Sequence, residues 1–140
     1  MQVLLAVAAG QDPTQAVLVA RDGDRFRIAC TLEPPPPAVA ETELERLLAL
    51  VETWRWSCWP LPPRTGFTYA YQERQRPGSG LTKAIQAWEG GFQVSGEREQ
   101  DTQALCFGRT LPGRVLLQPE RLERVVELFS PLLDYLTWTP

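Results

Sequence analysis

Two proline clusters, Pro34 to Pro37 and Pro60-Leu61-Pro62-Pro63, decide where regular backbone pairing has to stop in this chain. Proline has no amide hydrogen and cannot continue the hydrogen bonding of a sheet, so each cluster reads as a stiff, extended connector. The elements have to fit before, between and after these two breaks.

Ahead of the first connector, residues 2–9 are apolar on both faces, which predicts a strand inside a sheet. No basic segment precedes this apolar run, so it reads as a strand and not as a signal peptide. After a turn at Gly10-Gln11-Asp12-Pro13 comes a hairpin signal, Val17 to Arg21, then Asp22-Gly23, then Asp24 to Ile28. With Arg21 opposite Asp24, Val19 faces Phe26 and Val17 faces Ile28. That register puts the apolar pairs on one face and Arg25 and Arg27 on the other. The resulting β-β-β-α order resembles the opening of ribonuclease-H-like nucleases, whose two-metal chemistry needs acidic side chains on the first strand. Residues 2–9 contain neither Asp nor Glu, so the resemblance brings no nuclease activity with it.

Between the connectors, Thr42-Glu43-Leu44-Glu45 matches a capping box, and Leu44, Leu47, Leu48, Val51 and Trp54 recur on one face of a helix over 42–54. Beyond the second connector, Phe67-Thr68-Tyr69-Ala70-Tyr71 predicts a strand with three rings on one face. A glycine-rich loop leads to a short helix at 81–88 that Gly90-Gly91 stops. Strands near 92–97 and 102–109 follow, joined by the turn Arg98 to Asp101. The last helix spans 118–136, with Pro119 at a favoured first position and Pro131 as an internal break.

These elements predict one α+β domain over 1–140, a mainly antiparallel sheet of five to seven strands with the 42–54 and 118–136 helices packed on it. The 81–88 helix lies at its edge. A content of 44% apolar residues in 140 is enough for a core without disulfides or metals. No apolar stretch nears the roughly 20 residues needed to cross a bilayer, so no membrane contact is expected.

Chemistry is limited by what is missing. The chain has no histidine, which removes imidazole proton transfer, histidine-based nucleophile activation and histidine metal sites. Cys30, Cys58 and Cys106 lack metal-ligand or redox spacing and read as buried, reduced thiols in a cytoplasmic setting. No catalytic residue, metal ligand or cofactor is expected, and the chain reads as a non-enzyme. The net charge of −3 leaves no global basic field, so nucleic acid is not the favoured partner.

Two features remain. Gly78, Ser79 and Gly80 form a glycine-rich entrance to the 81–88 helix, flanked by Arg74, Arg76 and Lys83, where backbone amides can cradle a phosphate. The spacing is not that of a Walker A loop. Aromatic side chains form the second feature, Trp56 and Trp59 beside Trp54, then Tyr69 and Tyr71, then Tyr135 and Trp138 in an apolar C-terminal stretch that either docks on its own sheet or pairs with a second copy. The leading expectation is a non-enzymatic protein-binding or assembly module working through these aromatics, as a homodimer or with another protein. Its alternative is binding of nucleic acid or a phosphorylated ligand through the Arg74, Arg76 and Lys83 loop.

Overall fold

A computed structural model of the protein describes residues 6–11, 15–22, 24–54, 61–92 and 94–138. They fall into two compact units, Met1–Thr53 with Pro131–Pro140, and Trp54–Ser130.

In the first unit the described end of the expected opening strand over 2–9 is helical, not extended. Residues 6–8 are helical, and Gly10 (φ 76°) closes the helix: its amide donates to the Val7 carbonyl at 3.0 Å, and the Gln11 amide donates to that of Ala6 at 2.9 Å. These two bonds make a Schellman cap, which needs a left-handed residue at the glycine position. Alanine at 6, 8 and 9 favours the helix that unbroken apolarity disguised as a strand.

The hairpin forms, from β1 (Ala16–Asp22) and β2 (Arg25–Leu32), but in another register. Arg21 pairs with Phe26, Asp22 with Arg25 and Val19 with Ile28, and a bulge lies between Leu18 and Val19 in the ladder. Arg21 and Asp24 meet only through an exposed ion pair at 3.7 Å. The slip of two residues keeps each side chain on its expected face, because strand faces repeat every second residue. Val17, Val19, Phe26 and Ile28 therefore still share a face, yet all are exposed, Phe26 by 76%. A short third strand, β3 of this unit in space but last in the chain, is formed by Leu136–Trp138 and pairs antiparallel with β2, Cys30 opposite Trp138. The C-terminal stretch thus docks within its own unit, and β1 is left as a sheet edge.

Helix α1 runs over Pro37–Trp54, starting five residues before the expected 42–54 helix. The last proline of the cluster is its first residue, a position where the absent amide would be unbonded anyway. Thr42 consequently lies inside the helix. Its hydroxyl donates to the Ala38 carbonyl at 2.9 Å, one turn back, so Thr42 and Glu45 do not form a capping box. The expected apolar stripe is only partly covered, with Leu48 and Val51 exposed.

The second unit is almost entirely helical, and here the predicted strands fail. Pro63–Gln75 forms α2, Gly80–Glu89 forms α3, Asp101–Phe107 forms α4, Gly113–Leu116 forms α5 and Pro119–Asp134 forms α6, whose end belongs to the first unit. Among its described residues only Gly90–Gly91 and Val94–Ser95 pair as strands, in a two-stranded ladder. Among the described residues, five short strands in two small sheets replace the single sheet of five to seven strands. The 67–71 strand is part of α2 because Pro63 starts a helix there. Phe67 and Tyr71, four residues apart, stack on one side of it with centroids 6.1 Å apart, and Tyr69 departs from their face. The 102–109 strand is likewise α4, with Asp101 in its first turn. The 81–88 helix holds as α3, and it packs against α2 and α5 and not at a sheet edge.

The core of this unit centres on Trp88, which is 0% exposed; its indole N–H donates to the Leu111 carbonyl at 2.8 Å, and its ring meets Phe107 edge-on. Leu61, Ala84, Leu116 and Val125 are buried with it. Among the described residues no helix is long and apolar enough to cross a membrane.

Three helices of this unit begin without a side-chain cap of their own, and a distant glutamate supplies each. Glu97, 2% exposed, accepts the Arg64 amide at 2.9 Å and the Thr65 amide at 2.7 Å at the start of α2. Glu73 accepts the Gly80 amide of α3 at 3.0 Å, and Glu89 accepts the Gly113 amide of α5 at 2.7 Å. A carboxylate there meets otherwise unbonded amides and the positive end of the helix dipole.

Candidate functional site

The glycine-rich loop folds back on the helix that precedes it. Arg76 ends α2, with its amide on the Gln72 carbonyl at 2.9 Å; Gly78 turns the chain at φ 85°. The Gly78 amide donates to Glu73 Oε1 at 2.6 Å, and Gly80 donates to Oε2 of the same carboxylate. Ser79 Oγ donates to the carbonyls of Gln72 and Arg76. The amides that a phosphate would use are thus bonded to a carboxylate within the protein. Arg74, Arg76 and Lys83 stand at exposed positions around this closed loop.

The loop also has a packing role that links it to the aromatic candidates. A Cβ on Gly80 would lie 2.9 Å from both Cδ2 and the carbonyl oxygen of Tyr69, and 2.8 Å from Glu73 Oε2. The missing side chain lets the start of α3 press against Tyr69, which fixes that ring on the flank of α2.

Beside the ring lies a groove of about 510 Å³, lined by Tyr69 from α2 and by Pro119, Leu122, Glu123, Val126 and Glu127 from α6. Its volume lies within the ordinary range for binding clefts. The α6 residues stand at 119, 122, 123, 126 and 127, the three- and four-residue steps of one helical side. On the neighbouring side Val125 is buried, its methyl groups 3.4 Å from where a Cβ of Gly66 in α2 would lie. Close approach at the glycine holds the two helices together, while Leu122 and Val126 flank that contact and form the floor of the cleft.

The Tyr69 phenol is held above its ordinary pKa, first by burial and second by the negative charge of Glu73. It is a neutral hydrogen-bond donor at neutral pH. Glu123 is exposed and has no ion pair among the described residues. The cleft therefore offers an apolar floor, one phenol and a carboxylate-bearing wall.

Of the other aromatic candidates, Tyr71 stacks on Phe67, whose ring meets Phe129 edge-on at 5.5 Å, so it belongs to an internal ring cluster apart from the groove. Tyr135 is half-buried after α6, and its carbonyl accepts the Glu33 amide at 3.0 Å. Trp138 lies in the C-terminal strand, and Trp56, Trp59 and Cys58 fall outside the described residues. Cys30 is buried as expected, whereas Cys106 is exposed on α4, since a helix surface replaces the predicted strand. The described residues contain no group of three or more acidic or thiol side chains placed to hold a metal ion.

In the sequence, Leu122, Val125, Val126 and Phe129 recur at the three- and four-residue steps of one apolar helix face, a pattern that does not say which of them is covered. Val125 and Leu128 point inward, leaving Val126 37% exposed. No protein-family model matches the chain, and no curated protein matches it.

Proposed function

We propose that this protein is a non-enzymatic protein-binding module and that a partner polypeptide docks in the Tyr69 groove. The observation that carries the reading is the grouping of Leu122, Val126 and the Tyr69 ring along one cleft, with Val126 exposed and Leu122 and Tyr69 half-buried. Apolar side chains brought together in a concave surface lose water when a partner covers them, and a tyrosine at the edge adds rigid contact area and a polar handle. The exposed Val17, Val19, Phe26 and Ile28 on the hairpin accord with an assembly role. A cytoplasmic setting accords with Cys106, an exposed thiol outside any disulfide.

A Leu122→Asp/Val126→Asp double variant tests the reading. Wild-type and variant protein, matched by circular dichroism, are used as bait in the same lysate. A partner retained by the wild type and lost by the variant is expected. An identical set of retained proteins would remove the groove as the docking site.

A further inference from the structure

Resting on that protein-binding reading, we propose that the segment seated in the groove is a basic amphipathic one, an apolar anchor flanked by Arg or Lys. Charge complementarity carries this step. Along α6, Leu122 and Val126 make one row and Glu123 and Glu127 the adjacent row, so each turn presents an apolar side chain beside a carboxylate. Every charged side chain lining the cleft is acidic; Arg121 and Arg124 of the same helix do not line it.

Across the cleft, Glu73 sits one turn beyond Tyr69, and its charge acts on the phenol. An Arg or Lys side chain suits this surface because its aliphatic stem covers Leu122 and Val126 while its head reaches Glu123. The Tyr69 face adds a cation–π surface for the same head. An acidic partner would bring like charges together over a low-dielectric floor, which opposes binding. From residue 119 to 126 the helix rises roughly 10 Å, room for about two turns of a partner helix.

The test uses three labelled synthetic peptides with the same helical apolar anchor and flanks of Arg, Gln or Glu, followed by fluorescence anisotropy on the whole protein. The Arg-flanked peptide is expected to bind roughly tenfold more tightly than the Glu-flanked one, and to weaken when salt shortens the screening length to below about 10 Å. Glu123→Lys should weaken the Arg-flanked peptide by about tenfold and leave the Gln-flanked one unchanged, while Leu122→Asp/Val126→Asp abolishes both. Equal binding of Arg- and Glu-flanked peptides, both lost in the double variant, overturns the basic partner and leaves the groove as a protein site. Failure of all three peptides overturns this inference, and the lysate comparison then decides the groove separately. Displacement of the Arg-flanked peptide by spermine at equal affinity overturns it in favour of a small polycation.

Discussion

Glu97 and Thr65, thirty-two positions apart in the chain, are joined by a 2.7 Å bond from the Thr65 amide to the Glu97 carboxylate. The neighbouring Arg64 amide uses the other carboxylate oxygen, so one buried side chain meets both open amides of a helix that starts at proline. Charge-assisted bonds of this kind contribute more than neutral ones, and removing the acceptor leaves buried donors unsatisfied. Glu97→Ala is expected to destabilise the protein by about 2–4 kcal/mol, and Glu97→Gln, which keeps one acceptor oxygen, by about half as much. Urea unfolding followed by circular dichroism measures both, and equal losses for the two variants would contradict the role given to the charge.

Two aromatic residues should respond in opposite ways to truncation. Trp88 is enclosed and hydrogen-bonded, so Trp88→Ala should cost about 3–5 kcal/mol. Phe26 lies on the exposed hairpin face, and Phe26→Thr, which keeps a strand-favouring side chain, should change stability by no more than about 0.5 kcal/mol. Thermal melts of the two variants separate these values.

The difference between those residues shows how far the sequence could be read. The hairpin strands, the glycines that stop α3 and the proline that opens α6 were all legible, because each is specified by residues adjacent in the chain. Phe67, Tyr69 and Tyr71 were not. Three rings at alternate positions satisfy a strand, while Phe67 and Tyr71 alone satisfy a helix, and the choice fell to Pro63 and to a glutamate far along the chain. The proline clusters were read as connectors, although the last proline of each begins a helix. The site was half visible: Tyr69 and Gly80 were singled out in separate roles, and their contact depends on the fold. Leu122 and Val126 were legible as apolar, but not that Val126 is exposed and Leu122 only half-buried, since periodicity names a stripe without saying which edge of it is covered.

Gly80 and Gly78 should differ in kind when replaced by alanine. At Gly80 the added methyl meets the Tyr69 backbone and ring, so Gly80→Ala should cost about 1–3 kcal/mol and displace the ring that borders the groove. At Gly78 the surroundings are open, and Gly78→Ala should cost about 1 kcal/mol through its positive φ alone. Denaturant unfolding measures the costs, and peptide affinity reports the ring, changing for Gly80→Ala only.

Tyr69 sets a dependence at high pH. Its folded pKa is raised above the ordinary value near 10, so the unfolded chain loses this proton first as pH climbs. The resulting stability is fully present below about pH 10 and is lost as pH rises through the folded value. Ultraviolet titration of tyrosinate should show one late-ionising group that Tyr69→Phe removes. Glu73→Gln should lower its pKa only in part, since burial is the larger cause.

The thiols provide a check on α4. In a Cys58→Ser background, Cys106 should react with a disulfide reagent at once and Cys30 only as the protein unfolds. Equal rates for the two would contradict the burial of Cys30.

The borrowed helix caps also bear on how the polypeptide is made. When the ribosome has released residues up to about 90, all of α2 and α3 has emerged, and Glu73 can already close the turn between them. The acceptor for the first turn of α2, Glu97, still has seven residues to go before it emerges, and the glycine that Glu89 will bind lies beyond it. The helical pair must therefore wait for later parts of the chain, so its start becomes secure only after its end has been completed.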